Sequence, residues 1–175
     1  MAGCGSSSQD VLYIEAPTYI IKVGERVALT AQATEVLASP PEWDVQELDG
    51  GSFMRATGQQ VTYLAPPLAG NYHVVARATR ANGQKARAVQ VIVVQPLLSI
   101  EPSSARVAQG GTCAFSVKVK GIEPPKIQWG VEEPDGGSVS PAGVYTAPAR
   151  PGTFRVVATA LTEGHPLATA TVRVD

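Results

Sequence analysis

The chain has 175 residues, of which 44% are hydrophobic and only 17% are charged, and its formal net charge is −1. This apolar content is too high for a chain that stays disordered, and the balanced charge gives no general attraction to nucleic acid or to an anionic membrane. Its apolar runs are shorter than the roughly 18 residues that a membrane-spanning helix needs. The 17 glycines and 14 prolines predict short elements separated by frequent turns.

The first ten residues, "MAGCGSSSQD", form a small-residue tail, residues 1–10, that we expect to be flexible. Ala2, Gly3 and Cys4 resemble the end of a bacterial lipobox, in which the cysteine is lipidated, and the serines that follow resemble a tether. Either a hydrophobic signal segment before Cys4 has been removed, or the likeness is an accident of a tail of small residues. Both interpretations stay open, and the first predicts a lipid anchor at Cys4.

The rest of the chain contains one pattern twice, which indicates duplication of a structural unit. The first copy carries four extra residues within "FMRATGQQ", so the offset between the copies drops from 86 to 82 residues after Ser52. We therefore predict two domains, residues 11–95 and 98–175. Matching pairs include Leu12 with Leu98, Ile14 with Ile100, Trp43 with Trp129, Ser52 with Ser138, Tyr63 with Tyr145, Tyr72 with Phe154 and Ala78 with Ala160.

Each copy has the periodicity of short strands. Apolar residues recur at every second position in "CAFSVKV", "TFRVVATA" and "LATATVRV", which is typical of strands with one buried face. Turn signals interrupt these runs too often for a helix of ten residues. The pattern predicts an all-β chain of two antiparallel sandwiches, each with seven or eight strands, and it places Trp43 and Trp129 in the two cores.

The two domains follow each other almost directly. Strand-like sequence continues through Val94 and resumes at Leu98, which leaves a linker of about three residues, 95–97, stiffened by Pro96. We expect the two sandwiches to be arranged end to end as a short rod.

These landmarks resemble the bacterial immunoglobulin-like repeats of the invasin and intimin type. The second copy carries "WGV", "GGSV", "GVYTAP", "PGTF" and "ATATVRV" almost intact, whereas the first departs from them with "VTYLAPP" and its longer loop. The resemblance covers residues 11–175. It implies tandem immunoglobulin-like domains in an extracellular or surface protein, such as an adhesin, a spacer of a secreted enzyme or a phage surface protein.

Comparison with animal immunoglobulin domains predicts how the cores are built. Cys113 stands where one half of the disulfide between the sheets would be, but the partner position is Val156, so we expect Cys113 to be a buried free thiol. Tyr72 stands at the place of the tyrosine corner, where its hydroxyl can bond to upstream backbone, while Phe154 cannot make that bond.

Candidate catalytic and metal-binding residues are few. His73 is expected to face solvent and His165 lies in a hairpin, and neither has a nucleophile in a recognisable motif. Two acidic loops offer carboxylates for calcium, but they lack the alternating ligand spacing of a dedicated loop. We predict no catalytic residue, no cofactor and no metal site. The loop carboxylates are Asp44, Glu47 and Asp49 in the first copy, and Glu132, Glu133 and Asp135 in the second.

One surface rises above this background, because the first copy places basic side chains on one predicted sheet face. The second copy has Arg155, Thr159 and Thr169 at what the sequence offsets give as matching positions. The face either keeps the domain soluble or binds an anionic partner, namely an acidic glycan or an acidic protein surface. The predicted patch consists of His73, Arg77, Arg80, Lys85 and Arg87.

The function expected from these features is that of a non-catalytic extracellular or cell-surface module, structural or adhesive, which acts through protein contacts or self-assembly. The alternatives are a carbohydrate-binding accessory module and a phage particle surface protein. Sugar binding normally needs exposed aromatic side chains, and the candidates here are Tyr13 and Tyr19.

Overall fold

The computed structural model describes residues 11–162 and 165–175. All elements of regular secondary structure in these residues are β-strands. The chain divides between Gln95 and Pro96 into two compact units. We call them the first and the second unit.

Residues 11–95 of the first unit form eight strands. They are β1 (Leu12–Glu15), β2 (Ile20–Lys22), β3 (Arg26–Ala33), β4 (Glu42–Val45), β5 (Ser52–Phe53), β6 (Gln60–Leu64), β7 (Gly70–Thr79) and β8 (Lys85–Gln95).

These strands form two sheets, ordered β1-β3-β6-β5 and β2-β8-β7-β4. All neighbours are antiparallel except β2 and β8, which are parallel. Inward residues of both sheets join in one hydrophobic cluster, in which Leu29, Tyr63, Val74 and Ile92 are fully buried. The predicted immunoglobulin-like sandwich is confirmed, and the parallel pair is a detail that strand periodicity does not reveal.

The second unit repeats this arrangement with nine strands in its described ranges, 96–162 and 165–175. They are β9 (Leu97–Glu101), β10 (Ser104–Val107), β11 (Thr112–Ala114), β12 (Ser116–Lys120), β13 (Ile127–Val131), β14 (Ser138–Val139), β15 (Val144–Thr146), β16 (Gly152–Ala160) and β17 (Leu167–Val174).

The sheet β10-β17-β16-β13 corresponds to β2-β8-β7-β4, again with one parallel pair, β10 with β17. The strand equivalent to β3 is divided at Phe115 into β11 and β12, so the opposite sheet appears as the pair β12-β9 and the group β11-β15-β14. Residues from both faces again form one hydrophobic cluster.

In the part of the chain that the structure describes, no disulfide joins the sheets at the expected place. Val27 and Val74 fill it in the first unit, where they are 4% and 0% exposed. In the second unit Val156 is buried, but Cys113 is a free thiol that is half-buried rather than buried as expected. Val27 lies inside the continuous strand β3, whereas Cys113 lies in the short strand β11 at the margin of the cluster.

A tyrosine in each core ties a sheet to a loop. The Tyr63 hydroxyl donates a hydrogen bond to the carbonyl oxygen of Gly50, and the Tyr145 hydroxyl donates one to that of Gly136, at 2.5 and 2.6 Å. Both tyrosines are 0% exposed, and burial raises the pKa of each hydroxyl. The duplicated unit has kept this bond in both copies.

The predicted tyrosine corner is present in the first unit, where the Tyr72 hydroxyl donates to the Leu68 carbonyl oxygen at 3.0 Å. In the second unit the matching Phe154 ring is buried, and the Arg150 guanidinium lies 5.4 Å from its centroid. A cation over the ring therefore stands where the first unit has a hydrogen bond.

The two tryptophans differ. Trp43 is 4% exposed, packs against Phe53 with ring centroids 6.0 Å apart, and donates its indole N–H to the Gly58 carbonyl oxygen at 2.8 Å. Trp129, which we expected to be buried, is only half-buried. The reason is that Gly58 belongs to the extra segment of the first unit, which has no counterpart over Trp129.

The connection between the units is shorter than the sequence suggests. Strand β8 continues through Gln95 and β9 begins at Leu97, so only Pro96 lies between them.

Candidate functional site

The predicted patch lies on the outer face of the sheet β2-β8-β7-β4. Along β7, Val74, Ala76 and Ala78 belong to the core, so the residues between them face outward. The antiparallel register places Arg77 beside Arg87 on β8, and in the next outward row it pairs Thr79 with Lys85. Three basic side chains are therefore brought together at one end of this face.

Arg77, Lys85 and Arg87 line an open cavity of about 350 Å³. Ser39 and Glu42, from the loop before β4 and from β4 itself, line its other side. Together with Asp44, whose carboxylate lies beside Arg77, two carboxylates stand against three cations, which leaves an excess of one positive charge.

The cations of this cavity are only loosely engaged. Lys85 donates from Nζ to the Thr79 hydroxyl at 2.8 Å, and the Arg77 guanidinium lies 3.3 Å from the Asp44 carboxylate. Both members of that ion pair are about half-exposed, so the pair contributes little to stability. The exposed Arg87 has no polar partner among the residues that the structure describes. The cavity therefore has cationic groups available for an anion.

His73 lies two outward rows away from Arg77 and is engaged elsewhere. Its Nδ1 is 2.5 Å from a Glu47 carboxylate oxygen, and its backbone N–H donates to the other carboxylate oxygen at 2.8 Å. Partial burial of Glu47 raises its pKa, but the hydrogen bonds from the His73 amide and ring outweigh this, so the pKa of Glu47 is lowered overall. His73 is thus a half-buried partner of Glu47 and not the freely solvated histidine that we expected.

Arg80 also turns away from the cavity. Its Nε lies 3.7 Å from the Glu35 carboxylate, and its Nη1 donates a hydrogen bond to the Gln84 side-chain oxygen at 2.9 Å. Its side chain is only 23% exposed. Backbone pairing of Arg80 with Leu37 places it beneath the loop before β4, so Arg80 positions this loop.

Apolar side chains adjoin the cavity on the same face. Val75 pairs with Val89, and Val91 pairs with His73 in the next row. Val75 is 0% exposed although it lies outside the core cluster, while Val89 is 41% exposed. We call Val75, Val89 and Val91 the valine strip.

The second unit does not repeat this surface. Its register pairs Val157 with Thr169, Arg155 with Thr171 and Thr159 with Leu167. Because its β16–β17 hairpin is two residues shorter, the true counterpart of Arg87 is Leu167 and not Thr169. Two of the three valines become threonines and the arginine pair becomes Thr159 with Leu167, so the fold does not require the patch.

The acidic loops have a structural role that the sequence analysis missed. Glu133 accepts the backbone N–H of Arg155 at 2.8 Å, as Glu47 accepts that of His73, and Glu132 pairs with the Arg155 guanidinium at 3.0 Å. The signal was available, because each copy retains a glutamate and a basic residue at these matched positions. No group of three or more potential metal ligands occurs within residues 11–162 and 165–175.

The aromatic candidates for sugar binding do not form a platform. Tyr13 is 42% exposed. Tyr19, expected to be exposed, packs partly against the core and donates its hydroxyl to the Ile14 carbonyl oxygen at 3.1 Å. Only one of the two rings is therefore free to stack on a ligand.

The candidate lipidation site, Cys4, lies outside the described residues. In the part of the chain that the structure covers, no helix has the length and apolar character required to cross a bilayer.

Comparison with known proteins supports the fold. No protein-family model and no curated protein matches the chain. The C-terminal 282-residue fragment of intimin, solved in complex with the intimin-binding domain of the translocated intimin receptor, is similar with a TM-score of 0.51 and 17% identity, over 90% of this chain and 61% of the fragment.

Two further solved structures align less well. The insect immune protein hemolin has a TM-score of 0.44 and 15% identity, over 89% of this chain and 44% of its own. Mouse cadherin-23 EC22-24 has a TM-score of 0.40 and 15% identity, over 94% and 63%. At such identities the similarity to the intimin fragment concerns the immunoglobulin-like fold alone.

Proposed function

We propose that the chain is a non-catalytic extracellular or cell-surface module that binds another protein through the outer face of β2-β8-β7-β4 in the first unit. The cavity of Arg77, Lys85 and Arg87 takes carboxylates of the partner, and Val89, the exposed member of the valine strip, contacts apolar groups beside them. One observation carries this proposal: the second unit has the same sheet but neither the cation cluster nor the full strip.

The chemistry of this face suits protein recognition. Exposed cations favour association with an acidic surface and mainly raise its rate, while apolar groups next to them are desolvated on contact. The intimin fragment was solved in complex with a receptor domain. That complex supports a protein-binding role for such a fold without locating the contact in this chain.

The finer parts of the proposal concern location and assembly. We place the chain among bacterial surface proteins, anchored through a lipid on Cys4 and contributing to adhesion or to a larger surface assembly. The full-length gene product should then incorporate a palmitate analogue and lose the label in Cys4→Ser. A native protein that starts at Met1 with an unmodified Cys4 by intact mass would contradict the anchor.

A defined acidic peptide tests the binding face. We expect Glu-Val-Glu-Val-Glu, blocked at both ends, to shift the NMR signals of Arg77, Arg87 and Val89 in the ¹⁵N-labelled full chain. Binding should weaken as salt rises through about 0.15 M, where charges are screened beyond roughly 8 Å. The double variant Arg77→Glu, Arg87→Glu should lose these shifts.

The matched control is the double variant Arg26→Glu, Arg106→Glu, which changes the net charge equally at two other exposed arginines. It should bind like the native chain, and both double variants should keep the native melting temperature within a few degrees because all four side chains are exposed. Unchanged signals at low salt would refute the acidic-protein proposal. Shifts of the three basic residues by a sulfated oligosaccharide, without Val89, would instead favour an acidic glycan.

A further inference from the structure

The second unit leaves one sheet edge open. Strand β13 is last in the order β10-β17-β16-β13, so one of its sides pairs with β16 and the other does not pair within the sheet. Its sequence, Ile127–Val131, contains no charged residue. Natural sheets normally protect such an edge with charges, proline, a bulge or a covering segment.

The first unit shows how the same edge is covered. The Trp43 backbone N–H donates to the Ala56 carbonyl oxygen at 2.8 Å, and the Gly58 N–H donates to that of Pro41 at 2.9 Å. The Trp43 indole N–H donates to the Gly58 carbonyl oxygen at 2.8 Å. Thr57 forms an antiparallel bridge with Glu42. An extended segment, residues 55–58, therefore lies against β4 as an additional short strand.

Residues 55–58 are the four extra residues of the first unit. The Met54 N–H donates to the Thr62 carbonyl oxygen, and the Ser140 N–H donates to that of Val144, so Met54 and Ser140 are structurally equivalent. After Met54 the first unit contains the additional residues Arg55 to Gly58, whereas after Ser140 the second unit continues directly into Pro141. The covering segment is thus missing from the second unit as a whole.

Its absence leaves the bonding groups of β13 unused. Trp129 pairs with Ala158 as Trp43 pairs with Ala76, so its backbone N–H points away from β16. Neither this N–H nor the indole N–H has a partner within the described residues. Trp129 is only half-buried.

We propose that the free edge of β13 binds an extended segment of small residues from a partner protein, added as an antiparallel strand. By the geometry of the first unit, one carbonyl of this segment accepts the Trp129 backbone N–H. The carbonyl two residues later accepts the Trp129 indole N–H, and the amide of that residue donates to Ile127. Small side chains are required because the segment must lie directly against the Trp129 ring, as Ala-Thr-Gly lies against Trp43. This site is independent of the proposed function of the first unit.

The test uses the octapeptide FMRATGQQ, copied from residues 53–60, and the ¹⁵N-labelled full chain. We expect the peptide to shift the Trp129 indole signal and the backbone amides of β13, and to slow hydrogen exchange at the Trp129 amide. The Trp43 indole signal should stay in place. Trp129→Phe, which removes the indole N–H but keeps a ring, identifies the signal and should weaken binding about fivefold, the size of one hydrogen bond.

A graft supplies the decisive variant. Inserting Arg-Ala-Thr-Gly between Ser140 and Pro141 should cover the edge, shift Trp129 fluorescence to shorter wavelength and abolish peptide binding. The control insertion, Gly-Ser-Gly-Ser at the same position, has the same length as the graft but is not expected to bury the Trp129 indole.

Three outcomes would overturn the proposal. The first is that β13 signals stay unchanged at millimolar peptide. The second is that a scrambled peptide binds equally well. The third is that, without peptide, the chain forms dimers that the graft dissolves, which would make a second copy the occupant.

Discussion

The two units place an equivalent tryptophan in different surroundings. In the first unit, Trp43 lies under residues 55–58, and its strand β4 carries two acidic residues. In the second, Trp129 is half-buried on an uncharged strand with a free edge. The outer faces of the corresponding sheets differ as well, since cations and valines on one become mostly threonine on the other. Duplication has thus preserved the cores while the edges and faces have diverged.

The preserved features are hydrogen bonds that close loops onto the sheets. Tyr63 and Tyr145 bond to matched glycine carbonyls, and Glu47 and Glu133 accept matched backbone amides. Surface residues that make no such structural hydrogen bond can change without loss of the fold. Specific functions are therefore best sought where the surfaces of the two units differ.

The largest difference between the units should come from the tryptophans. Trp43→Ala removes a buried ring, and we expect it to lower the free energy of unfolding of the first unit by about 3–5 kcal/mol. Trp129→Ala should cost clearly less, because its ring is already half-exposed. Hydrogen exchange of strands β7 and β16 measures the two units separately. Equal costs would contradict the difference in burial.

The buried tyrosines should behave alike. Tyr63→Phe and Tyr145→Phe each leave a glycine carbonyl without its donor, which should cost about 1–3 kcal/mol in the affected unit. Urea unfolding followed by NMR gives the two values, and Tyr13→Phe, at an exposed ring, is the control. A large effect in only one unit would show that the bond is not a shared requirement.

The tyrosine corner of the first unit and its counterpart at Phe154 should each contribute less to stability, by a different interaction in each unit. Tyr72→Phe removes a hydrogen bond and should destabilise the first unit by about 1 kcal/mol. Arg150→Ala removes the cation over Phe154 and should cost about 0.5–1 kcal/mol in the second. Added salt should reduce only the effect at Arg150, and thermal unfolding at two ionic strengths checks this.

The smallest expected effect is on the stability of the first unit at low pH. Because the folded state lowers the pKa of Glu47 below its ordinary value of 4.5, its ionised form stabilises the first unit above pH 4.5. This stabilisation is lost as the pH falls through the lower folded pKa. Glu47→Gln should therefore destabilise the first unit at pH 7 and much less at pH 3, as measured by urea unfolding. Glu123→Gln, at an exposed glutamate, should show no such dependence.

Much of the fold follows from local sequence. Strand periodicity, turn residues and the repeat predict two immunoglobulin-like sandwiches, because alternation of apolar residues directly records which face is buried. The parallel pairs β2–β8 and β10–β17 do not follow from it, since three- or four-residue strands hold no information about their neighbour.

The positions of the basic side chains of the candidate site could be predicted in part. Arg77, Lys85 and Arg87 meet because outward positions on adjacent strands can be counted from the hairpin. His73 and Arg80 were assigned to the same patch, but their side chains turn to Glu47 and Glu35, which lie on distant loops. A side-chain pair that spans 26 residues leaves no periodic signal. The exposure of Trp129 could not be predicted without knowing that residues 55–58 of the first unit cover Trp43.

Valines stand in the first core where many immunoglobulin domains have cysteines, and the free thiol of Cys113 has Val156 in place of a partner cysteine. Within the described sandwiches, folding therefore needs no oxidant, no disulfide isomerase and no particular cellular redox state. Recombinant protein made in an ordinary cytoplasmic host should consequently have the native cores.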